Sequence, residues 1–154
     1  MRVIAIGTRV PVWVTQGFDD YARRLTQPIK LELLALEAGR RSPNQPATRA
    51  IKSESERLLA AVKPQDYVVA MDERGKEFST RELADWLTLR MQSGQHLTLL
   101  VGGPDGLAAQ VLERASLRWS LSRLTLPHAL VRVVLAEQLY RAHSLLNNHP
   151  YHRD

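Results

Sequence analysis

The sequence predicts an α/β fold, a mostly parallel sheet with helices on both faces, and three observations carry that prediction. Short apolar runs alternate with longer stretches whose apolar residues recur every three to four positions, from one end of the 154 residues to the other. The runs come one at a time, each followed by a helical pattern, which is the order of a sheet covered by crossover helices. No repeat, linker or low-complexity segment interrupts the series, so residues 1–154 are expected to form one domain.

The elements follow in chain order. "RVIAIG" (2–7) is a strand ending in glycine, and 13–25 carries a helical pattern. "IKLELLAL" (29–36) is the second strand, and "AGRRSPNQPA" (38–47) is a polar, proline-containing loop before a helix over 46–62. "DYVVAM" (66–71) is the third strand. Ser79 and Glu82 form a capping-box signature for a helix over 80–92. "HLTLLV" (96–101) is the fourth strand, followed by a helical pattern over 106–115, and the short "RWSLS" (118–122) is the fifth. The last helix, 128–147, is apolar around more than one stripe. It is either buried between elements of one subunit or covered by a second copy of the chain across a two-fold axis. In open parallel sheets ligands sit at the carboxyl ends of the strands, so the site is sought there.

Composition limits the function classes. A net charge of +5 and a pI near 10 favour a polyanionic partner, and 17 of the 21 basic residues are arginine, whose planar fork suits phosphates and base edges. A coding bias towards arginine would give the same count, but residues 106–154 concentrate six Arg against three acids, with four of the five His. No apolar run approaches the ~18–20 residues of a membrane span. The opening residues read as a strand and not a signal peptide, which leads to an expectation of cytoplasmic location and no membrane partner. With no cysteine, a metal would need His or carboxylate ligands.

Three segments bear chemistry. "LLVGGPDG" (99–106) runs a strand into Gly102 and Gly103, then a Pro-Asp-Gly turn, where a ligand can lie against bare backbone; an ordinary structural turn has the same residues. Its glycine spacing and its place after the fourth strand match neither a dinucleotide fingerprint nor a P-loop. "LSRLTLPH" (121–128) is read as a short strand through Ser122 and Thr125 that stops at Pro127, and its main-chain groups near 123–126 are available to a flat heterocycle. The ending "NNHPYHRD" (147–154) has two histidines, a tyrosine and an arginine where chain ends are usually uninformative. His149 and His152 lack a third ligand for zinc, and no G-x-S-x-G frame supports a serine hydrolase. His128 and His143 are most simply helix-surface or capping residues.

Taken together, "LVGGPDGL", "LSRLTLPHALVRVVLAEQLYRA" and "NNHPYHR", with "VIAIGT" and "MDERGK" upstream, closely resemble the RlmH (YbeA) family of SPOUT methyltransferases over essentially the whole chain. The resemblance implies a carboxyl-terminal trefoil knot, a homodimer, S-adenosylmethionine as methyl donor without a metal, and N3-methylation of a pseudouridine in 23S rRNA on assembled ribosomes, with no DNA partner. It implies a cofactor pocket at Met71, Gly102, Gly103, Leu121, Ser122, Arg123, Leu124, Thr125 and Leu126, and a functional tail at Tyr151, His152 and Arg153. Met71 stands where the family is expected to have Leu, a swap that keeps volume.

Residue chemistry suggests roles within that frame. The imide proton of the target nitrogen needs an acceptor, for which His152 is nominated. Arg153, with Arg141 in reserve, would steady charge on the flanking carbonyls, and Tyr151 would stack on the base. Arg141 and His149 are expected to touch the RNA, and a tail that only binds phosphate is the simpler alternative. Because the tail follows the expected interface helix directly, it is expected to serve the partner's pocket. A non-catalytic ribosome-associated RNA-binding module of the same fold is the competing function.

Overall fold

The structure, a computed structural model, describes residues 1–42 and 46–151. Five strands, β1 (Arg2–Ile6), β2 (Glu32–Leu36), β3 (Tyr67–Lys76), β4 (Leu97–Val101) and β5 (Leu117–Trp119), alternate with five helices, α1 (Val12–Arg24), α2 (Ala47–Ala61), α3 (Thr80–Gln92), α4 (Ala109–Arg114) and α5 (His128–Leu146). Every strand pairing is parallel, and the order across the sheet is β2-β1-β4-β3-β5. The expected α/β class and element order are therefore observed.

Successive side chains of a strand point to opposite faces, so each buried strand feeds two cores. Val3, Ala5, Val69 and Leu99 meet Phe18 of α1, Leu87 of α3 and Leu135 and Leu139 of α5. Ile4, Ile6, Val68 and Leu100 face the other way, onto Leu58 of α2 and Val111 of α4. All five residues of β4 are buried, as its unbroken "LTLLV" requires of a central parallel strand. The capping box of α3 forms as read: Ser79 Oγ accepts from Glu82 N–H at 3.3 Å, and Glu82 Oε2 accepts from Ser79 N–H at 2.8 Å.

Four boundaries differ from the sequence reading by three residues or more, the simplest being that β2 begins at Glu32 and not at 29. β3 does not stop at residue 71 but runs to Lys76, with an irregularity after Met71 so that Met71 and Lys76 both pair with Trp119. The polar "DER" hides this half of the strand from a hydrophobic pattern, and Gly75 permits it, because a Cβ there would lie 2.6 Å from the backbone of Arg118 and Trp119. β5 ends at Trp119, so 121–126 is not a strand. Ser120 Oγ donates to the Ser122 carbonyl at 3.0 Å and Leu124 N–H to Ser122 Oγ at 2.9 Å, and these local bonds replace a ladder. α4 begins at Ala109 and not 106, because Gly106 holds φ at 80° and closes a turn onto Gly103.

α5 packs against both α1 and α3. Gly17 of α1 gives Val133 its place, since a Cβ there would lie 3.0 Å from Val133 Cγ1. Arg132, Leu135, Ala136, Leu139, Tyr140, Ala142, His143 and Ser144 are buried. Leu130, Val131, Val134 and Leu145 remain half-buried, and Trp13, one turn before Gly17 on the side of α1 that adjoins α5, is 53% exposed. His143, at 5% exposure, is a core residue and not the surface or capping residue expected.

Candidate cofactor pocket and carboxyl-terminal tail

The carboxyl ends of β3, β4 and β5 open into one cavity of about 890 Å³. Its walls are residues 71–74 in the second half of β3, 101–107 from the last residue of β4 onward and 118–122 from within β5 onward, closed by 124–128 and Val131. The site thus lies where the sheet topology directs ligands. Met71, Gly102, Gly103, Leu121, Ser122, Leu124, Thr125 and Leu126 all line it. Arg123 does not: its side chain is 89% exposed and ion-paired with Glu77 at 3.4 Å.

The glycine turn is sterically compelled. A Cβ on Gly102 would stand 2.6 Å from the Gly106 carbonyl oxygen, and one on Gly103 would stand 2.8 Å from Glu54 Oε2. Gly106 N–H donates to the Gly103 carbonyl at 3.0 Å, so the backbone folds back on itself here with no side chain between it and the cavity. On the opposite wall the short β5 frees the segment 121–126, and among the described residues the amides of Leu121, Thr125 and Leu126 take no partner. Bare glycines and unpartnered amides in one cavity, lined by both apolar and polar side chains, suit a planar, hydrogen-bonding ligand.

The sequence reading missed His128, which lines the pocket from the first turn of α5. Burial, then the charges of Arg132 and Arg41, hold its pKa below the ordinary value, so the imidazole is neutral at pH 7. Beside it Arg132, 1% exposed, sends Nη2 to the carbonyls of Ile6 at 2.6 Å and Gly7 at 2.7 Å, capping the end of β1. Asp72, Glu73, Arg74 and Arg118 were also missed; the signal for the first three was "MDERGK", in which a glycine follows a charged run, and for Arg118 its place in the short fifth strand "RWSLS".

The described part of the tail, up to Tyr151, is placed elsewhere. His152 and Arg153 lie outside the described residues. Tyr151 folds back on its own α5: its hydroxyl donates to Glu137 Oε1 at 3.1 Å, its ring centre is 4.7 Å from that of Tyr140, and the Arg141 guanidinium sits 5.0 Å from its centre. Burial, followed by bonds to Tyr21 and Glu137, raises the pKa of this phenol, which stays protonated. Arg141 is ion-paired with Glu137 at 2.6 Å, and His149 is exposed, 6.4 Å from the Tyr140 ring. None of these residues lines the cavity, to which α5 contributes only His128 and Val131. Among the described residues, then, one chain does not bring tail and pocket together.

The description "Predicted SPOUT methyltransferase" belongs to a family whose sequence profile matches residues 1–152. The chain is a member of the SPOUT methyltransferase family. Among similar proteins, a Ribosomal RNA large subunit methyltransferase H from Nitrosococcus oceani is 53% identical over 98% of this chain and 96% of its own length. One of the same name from Marinomonas sp. is 50% identical over 99% of both chains. A solved structure of a probable methylase family protein from Haemophilus influenzae superposes with a TM-score of 0.56, covering 99% of this chain and 70% of that one; at 13% identity it speaks for the fold alone. For a SPOUT protein the pocket described here becomes the place to look for the methyl donor. Among the described residues no group of three or more His, Asp or Glu is placed to hold a metal ion.

Proposed function

We propose that this protein is an S-adenosylmethionine-dependent methyltransferase of large-subunit ribosomal RNA, that its product is an N3-methylated pseudouridine in 23S rRNA of assembled ribosomes, and that it acts as a cytoplasmic homodimer. The observation that carries the reading is the glycine-walled cavity at the carboxyl ends of β3, β4 and β5, in a chain whose relatives are named as rRNA methyltransferases. The residues present fit such a cofactor. Met71, Leu121, Leu124 and Leu126 offer an apolar bed, Gly102 and Gly103 leave room that any Cβ would fill, and the free amides of 121–126 offer donors to a heterocycle.

When bound, S-adenosylmethionine would supply a methyl group on a sulfonium, open to in-line displacement without a metal. The chain's own residues must then fix the attacking nitrogen, keep water out and take up the imide proton. His152 is proposed as the acceptor and Arg153 as the cation that steadies charge on the flanking carbonyl oxygens. Tyr151 is better suited to anchor the tail than to stack on the base, since Tyr140 and Arg141 already take its ring. Arg141 and His149 stand beside that anchor, where an incoming RNA strand would meet them.

A homodimer accounts for two features together. The half-buried apolar row of α5 and the exposed Trp13 of α1 need a cover, and a two-fold partner would bring a second tail beside each pocket. Titration calorimetry in chelator is expected to show saturable binding of S-adenosylmethionine. The mass spectrum of rRNA from cells lacking the protein is expected to show one pseudouridine lighter by a methyl group. No binding, or an unchanged spectrum, overturns the reading.

A further inference from the structure

Glu54 is a carboxylate at 2% exposure in the middle of α2, beside the glycine turn but outside the pocket. A buried carboxylate is costly unless it is paired and hydrogen-bonded. Glu54 Oε1 accepts from Gly39 N–H at 2.8 Å and from Arg41 Nη1 at 2.8 Å, and Oε2 accepts from Arg41 Nη2 at 3.3 Å. Arg41 is not spent on Glu54 alone. Its Nε donates to Asp105 Oδ2 at 2.9 Å, and its Nη2 stands 2.8 Å from the same oxygen. Asp105 is the tip of the Gly-Gly-Pro-Asp-Gly turn that walls the pocket.

We propose that Arg41 is a positioning residue for methyl-donor binding: by bridging Glu54 to Asp105 it holds the glycine turn 102–106 in its ligand-accepting form. The claim rests on the pocket's being the cofactor site, and it concerns a residue that touches no pocket surface. The geometry is demanding. A guanidinium presents N–H groups on two edges of one plane, so a single side chain can hold two carboxylates at a fixed separation, which an ammonium cannot do. The loop that carries Arg41 is itself pinned, because Gly39 lies against α2 with room for no Cβ: one would stand 2.8 Å from the Ala50 carbonyl oxygen. The bridge therefore fixes the turn to α2 across the end of β1. Glu54 in turn fills the volume beside Gly103, so a displaced carboxylate there changes the shape of the turn from behind.

The test is calorimetric binding of S-adenosylmethionine, and separately of S-adenosylhomocysteine, to the full chain and to Arg41→Met, Arg41→Lys, Asp105→Asn and the Arg41→Met/Asp105→Asn pair, with thermal melting of each. Arg41→Met is expected to weaken both ligands about tenfold, and Asp105→Asn, at a partly exposed site, about threefold to fivefold. The pair should bind no worse than Arg41→Met alone, because both changes break one bridge, and Arg41→Lys should recover only part of the loss. A residue that merely supported folding would lower the melting temperature and leave the dissociation constants in place. Binding within twofold of wild type in Arg41→Met and Asp105→Asn, or losses that multiply in the pair, overturns the proposal. Should Arg41→Met fail to fold, Asp105→Asn alone decides, with unchanged affinity counting against it. Failure of the wild-type chain to bind either ligand removes the cofactor reading and this one with it, an outcome distinct from normal wild-type binding with indifferent variants.

Discussion

Gly102→Ala is the smallest change that should disable the pocket, and its size can be worked from the backbone. Unlike Gly106, Gly102 has no positive φ, so an alanine there is opposed by contact alone. The added carbon would lie 2.6 Å from the Gly106 carbonyl oxygen, 2.7 Å from its carbon and 3.2 Å from Leu107 Cδ2. Ordinary van der Waals contact begins at 3.4 Å, so the Gly106 peptide must withdraw by about 0.8 Å, and it is main chain that cannot turn aside as a side chain would. The withdrawal stretches the 3.0 Å bond from Gly106 N–H to the Gly103 carbonyl and carries the turn into the cavity. Overpacking of this kind costs about 1–3 kcal/mol, which lowers the melting temperature by roughly 2–12 °C for a chain of this length and leaves it folded at 25 °C. A ligand seated against the same backbone should lose about tenfold or more in affinity, and methyl transfer about a hundredfold, because a misplacement near 1 Å is felt most in the transition state. Calorimetry with S-adenosylmethionine and a melting curve on the same sample are the measurements. A Gly102→Ala protein that binds within twofold of wild type would show that the turn is structural and the ligand sits elsewhere.

Two further outcomes are expected. Mixing a Gly103→Val chain with one truncated after Asn148, each inactive and each shown to fold and dimerise, should restore roughly a quarter of wild-type methyl transfer, since about half of random dimers are mixed and each mixed dimer holds one complete site. Confirmed heterodimers with no activity would reject delivery of the tail to the partner's pocket. His143 has its pKa pushed below the ordinary 6.5 by burial, so the unfolded chain binds more protons than the folded one, and stability is lost as pH falls from about 6.5 towards the folded pKa. In urea unfolding at pH 7, 6 and 5, His143→Gln should flatten that loss by up to about 1.4 kcal/mol per pH unit, and an unchanged slope would place the acid sensitivity in other groups.

The parts of this molecule that could be read in the sequence are the parts whose physics is local. The capping box of α3 spans four residues and needs nothing from the rest of the chain. The same holds for "LTLLV", whose continuous apolar character announces a strand buried on both faces, and for the glycine turn after it. Periodicity located every helix and strand for that reason, and it failed where the local signal was masked or absent. The second half of β3 is polar and lines the pocket with Asp72, Glu73 and Arg74, and 121–126 reads as a strand from its leucines, though two local serine bonds, at the Ser122 carbonyl and the Leu124 amide, and no neighbouring strand hold it. A trefoil knot is an expectation of the resemblance alone, since no period or spacing encodes the threading of a chain.

The bridge of Arg41, Glu54 and Asp105 was invisible for a different reason. Its members are separated by 13 and 64 positions, and "AGRRSPNQPA" reads as an ordinary polar loop until the strand order is known. That order puts β2 and β4 on either side of β1, so the loop leaving β2 crosses the end of β1 to reach the turn leaving β4. The end of β1 between them is Gly7, with φ at 107°, whose carbonyl and that of Ile6 are taken by Arg132, while His128 from the same helix turn faces the cavity. Two arginines, neither of which lines the pocket, thus stand behind it, Arg41 bonded to the carboxylates of Glu54 and Asp105 and Arg132 to the carbonyls of Ile6 and Gly7, and both depress the basicity of His128. An arginine-rich composition suggested a surface for phosphates. At these two positions the fold turns the guanidinium on its own groups instead, Arg41 on two carboxylates and Arg132 on two carbonyls, so neither is free to meet a phosphate.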